Sequence, residues 1–221
     1  MTDPQPAPSV DPVPRVERRR AQAREELLAA AREVVAAVGV GRFSLEQVGR
    51  RMGVRKQAVY HYFDSKEAVL AEVAVGEMTR AARAVAEAVA RTPGAADAME
   101  AMLRSYFAAF VDRLRLFQLC YTAMPALDAM PAPDASLLAR LHPLNDLVLG
   151  GVAERVARER GLPADAARRL AFVAYTSVLG LLAMRALTDA ASDPLRHGDD
   201  ALLDTLVATF RHAAATGSPA P

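Results

Sequence analysis

Apolar residues return at three- and four-residue intervals along almost the whole chain, and the two-residue alternation of a half-buried strand is hard to find. Leu27, Ala31, Val34 and Val38 recur at i, i+4, i+7 and i+11, with Glu25, Glu26, Arg32 and Glu33 on the opposite side. Gly39 and Gly41 follow, as glycine commonly does at a helix C-terminus. Ser44 and Gln47 have the spacing of a capping box, and Leu45, Val48 and Met52 form a short stripe ended by Gly53. Val59 and Phe63 are the inward pair of a third short helix. Asp64 and Ser65 offer cap chemistry to a long fourth one running toward Ala90. Thr92-Pro93-Gly94 is a break, after which helical segments are predicted near 95–112, 113–123, 134–160, 164–187 and 199–214. Pro143 should end or kink the third of these near Leu141. The chain is predicted to be all-α, with roughly nine helices.

At 221 residues, 52% hydrophobic and 24% charged, the chain is far from the composition of a disordered one. A single cysteine, Cys120, excludes an internal disulfide framework and paired-cysteine zinc or redox motifs. Residues 1–14 carry five prolines and no apolar run, which reads as a flexible leader, and 217–221 reads as a flexible tail. The longest apolar stretch, Ala171 to Met184, falls short of the roughly 20 residues of a membrane span. A core helix, no membrane partner and a cytoplasmic location are expected.

The two short helices between residues 44 and 63, joined through Gly53, have the lengths of a helix-turn-helix. With Val59 and Phe63 inward, Arg55, Lys56, Gln57, Tyr60, His61 and Tyr62 are left outside. Arginine and lysine pair with guanine edges or phosphate, glutamine with adenine, and tyrosine hydroxyls with phosphate. The net charge of +1 hides an asymmetry: residues 1–66 hold 12 basic against 8 acidic groups, net +4, and the remainder 15 against 18, net −3. Both lysines of the chain, Lys56 and Lys66, fall in this region, and Lys66 opens the long helix where a phosphate is favoured. Arg15, Arg18, Arg19, Arg20 and Arg24 form a basic run that reads equally as a phosphate-tracking arm or as a solvated face.

The run Gly41-Arg42-Phe43-Ser44-Leu45-Glu46-Gln47-Val48, then Met52-Gly53-Val54, Ala58-Val59-Tyr60-His61-Tyr62-Phe63 and Ser65-Lys66-Glu67-Ala68-Val69-Leu70 resembles the N-terminal domain of TetR-family transcriptional regulators. The resemblance spans roughly Arg18 to Val73. Arg55 stands where the family commonly has a capping serine. Gly49 stands where it commonly has alanine, at about 1 kcal/mol of local helix stability. The resemblance implies a three-helix DNA-binding head at 15–75 and an all-α effector-binding and dimerising body at 76–216. It also implies a homodimer on palindromic double-stranded operator DNA, acting as a repressor released by a small, largely apolar effector, with no cofactor and no catalysis. Ser44, Arg55, Lys56, Gln57, Ala58, Tyr60, His61, Tyr62 and Lys66 then become the candidate DNA contacts.

In the body, Tyr106, Phe107, Phe110, Gln118, Tyr121, His142, Asn145, Tyr175 and Thr176 are candidates for an apolar effector cavity with a few polar handles, although aromatic stripes at helical spacing serve equally as core. Ala167, Ala171, Ala174 and Val178, with Leu203, Val207, Phe210 and Ala214, are the candidate dimer faces of the last two helices. Gly76 marks a place where the long helix could bend. Gly39-Val40-Gly41 lacks the third glycine and the preceding strand of a dinucleotide loop, and no nucleophile elbow, zinc-protease or phosphate-loop motif occurs. His197-Gly198-Asp199-Asp200 reads as a capping loop rather than a metal site. Cys120, in an apolar setting, reads as a small hydrophobe. The competing function class is a small helical enzyme or binding protein whose helix-turn-helix is structural. An exposed Arg55-Lys56-Gln57 turn separates the two, since a purely structural helix pair has no reason to display it.

Overall fold

The computed structural model describes residues 15–123, 135–191 and 197–216. The leader read at 1–14 and the tail read at 217–221 lie outside the described residues. Nine α-helices are present among the described residues, and no strand. They are α1 (Arg15–Val38), α2 (Leu45–Met52), α3 (Lys56–Tyr60), α4 (Lys66–Ala90), α5 (Ala95–Phe110), α6 (Leu114–Gln118), α7 (Ala135–Arg160), α8 (Ala164–Ala191) and α9 (Asp199–Thr216). A 3₁₀ turn at Val40–Arg42 links α1 to α2, and a π-helical turn at Leu119–Ala123 extends α6.

The stripe predicted on α1 is the buried one. Leu27, Ala31, Val34 and Val35 meet Leu45 and Val48 of α2, Val59 of α3, and Val69 and Leu70 at the start of α4. The same core continues without a gap into the body, because α4 is buried along its length through Val73, Ala74, Ala81, Val85 and Val89. At 1.5 Å per residue, this 25-residue helix is about 37 Å long. The boundary read at 75–76 falls inside it. In the body, α5 is the central element, packed by α4, α7, α8 and α9. It buries Ala98, Met99, Met102, Leu103, Tyr106 and Phe110.

Two details depart from the sequence reading. Pro143 does not end α7, which runs unbroken from Ala135 to Arg160. Proline forfeits one ladder bond at its own nitrogen, and Leu144, Val148 and Val152 on the buried side of the same helix anchor it to the core. The apolar stretch of α8 is longer than expected: Ala164–Thr188 is long and apolar enough by composition to cross a membrane. One face of it, Ala167, Ala171, Ala174, Val178 and Leu182, is packed inside the protein core.

Candidate nucleic-acid interface and effector core

Local chemistry sets the helix-turn-helix. Ser44 Oγ accepts from the Gln47 amide at 3.3 Å, while the Gln47 side chain accepts from the Ser44 backbone N–H at 2.8 Å, closing the predicted capping box. At the other end of α2, Gly53 takes φ 69°, ψ 24°, the left-handed conformation that glycine adopts without a steric penalty. The Gly53 N–H reaches Arg50 O and the Val54 N–H reaches Gly49 O at 2.9 Å, so the last carbonyls of α2 are satisfied as the chain reverses. Arg55 precedes α3 as its N-cap residue and makes no side-chain cap bond.

Val59 is wholly buried and Phe63 nearly so, which pins α3 against α1 and α2. Phe63 sits past the end of α3, which stops at Tyr60. The opposite side of the turn is left outward: Arg55, Gln57 and His61 are exposed, and Tyr60 is 46% exposed. Lys56 is the first residue of α3. Ala58, Tyr62 and Lys66 are half-buried around this rim, and Ser44 is half-buried at its cap. Val54, 39% exposed in the turn, adds an apolar contact that the sequence reading did not include.

This geometry, a locked pair of short helices offering guanidinium, amide, imidazole and phenol groups on one outward turn, has a counterpart among known proteins. Residues 27–73 match the family model of bacterial regulatory proteins of the tetR family. The head, through residues 27–73 of the 221, is a tetR-family regulatory domain. No curated protein matches it in sequence. Solved structures share the fold across both head and body. A Rhodococcus protein of unknown function is 25% identical over 86% of this chain and 94% of its own, with a TM-score of 0.67. A Mesorhizobium loti protein, described as a TetR-family transcriptional regulator, is 20% identical over 89% and 96%, TM-score 0.63. The Bacillus subtilis transcriptional regulator FadR, solved in complex with stearoyl-CoA, is 16% identical over 84% and 96%, TM-score 0.60.

In the body behind this tetR-family head, three candidate effector residues converge. The hydroxyls of Tyr106 on α5, Tyr121 in the π-helical turn and Tyr175 on α8 are mutually hydrogen-bonded. Tyr175 lies 3.1 Å from each of the other two, and Tyr106 and Tyr121 are in close contact. Tyr106 and Tyr175 meet edge to face at 4.9 Å, and Phe110 and Phe117 complete the aromatic box around Tyr121. Burial pushes all three phenols above their ordinary value, so they stay neutral. Phe107 is buried nearby.

The remaining effector candidates do not join this cluster. His142 and Asn145 face outward on α7 because Leu144, Val148 and Leu149 occupy its inner face. Asn145 lines a surface groove of about 420 Å³ with Phe172 and Arg168. Thr176 follows the buried Tyr175 by one residue, about 100° around α8, and is exposed. Gln118 lines a separate groove of about 560 Å³ with Arg115 and Arg185.

The candidate dimer faces are also corrected. Ala167, Ala171, Ala174, Val178 and Ala214 are completely buried in the protomer, Leu203 and Val207 nearly so, and Phe210 is half-buried against the core. The small residues of α8 do permit close approach, but to the protomer's own helices. The apolar side left outside is another one. Phe172, Met184 and Leu187 are 51%, 57% and 61% exposed, with Thr176 and Gly180 between them on the same stripe. Val173 of α8 and Leu202 of α9 are further exposed apolar residues, at 52% and 36%.

Among the charged groups, Arg24 of the basic run is not an arm. It stacks on the Phe63 ring at 4.7 Å and pairs with Glu72 at 3.1 Å. No group of metal-binding side chains occurs among the described residues, and Asp199 at the start of α9 pairs with Arg185 at 2.8 Å. Cys120 is buried, its thiol pushed up mainly by burial, and donates to Ala74 O at 3.6 Å. Glu77, which the sequence reading passed over, is the buried charge of the described core. Its signal was an acid on the inward stripe Val73, Glu77, Ala81 and Val85.

Proposed function

We propose that the chain is a dimeric repressor that binds a palindromic operator and is released by a small, largely apolar effector, acting through binding rather than catalysis. The observation that carries this reading is the outward set Arg55, Gln57, Tyr60 and His61 on a capped scaffold: polar and basic groups are displayed where a structural helix pair would bury or omit them. The α3 groups, with Lys56 and Gln57, are assigned to base edges, and Tyr60, Tyr62 and Lys66 to phosphates, with Ser44 and Ala58 at the rim. The dimer is assigned to the exposed stripe of α8 with Val173 and Leu202, since an apolar surface of this length marks an interaction site.

The effector is assigned to the tyrosine cluster. Three buried hydroxyls that satisfy one another can re-aim a donor to an entering carbonyl or carboxylate oxygen, and the phenylalanines beside them suit an apolar body. The ligand of the FadR structure carries a long acyl chain, which accords with an apolar effector. The test is a gel-shift titration at fixed salt on a duplex selected by the wild type from a randomised library. Gln57→Ala or Lys56→Ala should lose about 1–3 kcal/mol and relax base preference, whereas Lys66→Ala and Tyr60→Phe should weaken all duplexes alike. Wild-type affinity in all four variants would refute the assignment.

A further inference from the structure

Two of the four glutamates of helix α4, Glu72 and Glu77, are each shared by an arginine of α1 and an arginine of the body. Glu72 receives Arg24 of α1 at 3.1 Å and a two-pronged Arg140 of α7 at 2.6 and 3.1 Å. Glu77, 2% exposed, lies 3.9 Å from Arg32 of α1 and 3.7 Å from Arg113 in the turn between α5 and α6, and is gripped by Arg80 one turn along α4 itself. A further tie comes from α6, where Arg115 donates to the carbonyls of Ala36, at 3.2 Å, and Ala37 near the end of α1.

We propose that Glu72 and Glu77 are positioning residues for DNA binding, holding the head at a set angle on the body through these two shared ion pairs. The inference rests on the reading of the chain as a dimeric DNA-binding regulator. Apolar contact between α1 and α4 is non-directional and tolerates sliding, whereas charge-assisted hydrogen bonds fix direction as well as distance. Each carboxylate divides its charge between head and body, so moving Arg140 or Arg113 changes the hold on Arg24 or Arg32. The segment that carries Arg113 also carries Tyr106, seven residues before it, and Tyr121, eight after it. A ligand that parts the tyrosine cluster therefore acts on the same piece of chain that reaches Glu77.

The experiment uses the full chain with Cys120→Ala and spin labels at Glu46→Cys on α2 and Arg158→Cys on α7, both exposed. Glu72→Gln, Glu77→Gln and Arg140→Gln should broaden the head-to-body distance distribution. They should also lower affinity for a selected two-half-site duplex about tenfold, with affinity for one half-site held within about twofold. Glu77→Gln removes the buried charge on which three half-exposed arginines converge; should it fail to fold, Glu72→Gln and Arg140→Gln carry the test. An unchanged distance distribution overturns the inference. Equal losses on the full and half sites also overturn it, since a merely destabilised head weakens both alike. A wild type that enriches no duplex sinks the regulator reading instead, and the distance measurement still decides the positioning role.

Discussion

The same substitution, glycine to alanine, should have opposite signs at two positions of the head and its long helix. A Cβ added at Gly76 or at Gly53 meets no atom within 4 Å, so sterics with neighbours drop out of both cases. Gly76 lies exposed inside the unbroken α4, where alanine gains about 0.8–1 kcal/mol in helix propensity. Gly53 sits at φ 69°, where a Cβ costs roughly 1–2 kcal/mol against the following carbonyl. In a chain of this size, 1 kcal/mol moves the melting temperature by about 2–4 °C. Gly76→Ala should therefore melt a few degrees higher than wild type, and Gly53→Ala a few degrees lower. The assay is thermal and urea unfolding at one fixed protomer concentration, because the midpoint of any self-associating chain depends on concentration. If Gly76 were instead a built-in bend, alanine there would destabilise the unliganded state. Two shifts of the same sign would refute the reasoning.

Met184→Glu and Leu187→Asp should give monomers with unchanged helical circular dichroism, read by sedimentation. Ala171→Arg, at a wholly buried site, should unfold the protomer instead. The Arg140 guanidinium holds the Glu72 carboxyl below its ordinary value of 4.5; burial opposes it, and Arg24 adds a lesser lowering. A depressed folded value means that the stabilisation is present above the unfolded value and is lost as pH falls through the folded one. Glu72→Gln should thus flatten the acid limb of the stability–pH curve below about pH 4.5, measured by urea midpoints. An identical acid limb would show that the pair carries no linkage.

Much of this protein is legible in its residues because its strongest signals are local. The Ser44 and Gln47 capping box, the Gly53 turn and the α1 stripe depend only on neighbours a few residues away, and each appears as read. Pro93 and Pro163, with the glycines beside them, mark helix ends by the same short-range chemistry. Helical spacing states which residues share a face, but not what that face meets. The alanine face of α8 suits a partner subunit as well as the protomer's own helices, and the structure turns it inward, leaving Phe172, Met184 and Leu187 outside. Tyr106, Tyr121 and Tyr175 could be named as polar handles, but their ring of hydroxyls closes only when α5, the π-helical turn and α8 pack together. His142, Asn145 and Thr176 were equally eligible by sequence and lie on the surface. Long-range pairing of charges is the least legible of all. Nothing within ten residues of Glu72 announces Arg24 or Arg140, because a carboxylate selects whichever guanidinium the fold brings within hydrogen-bond reach.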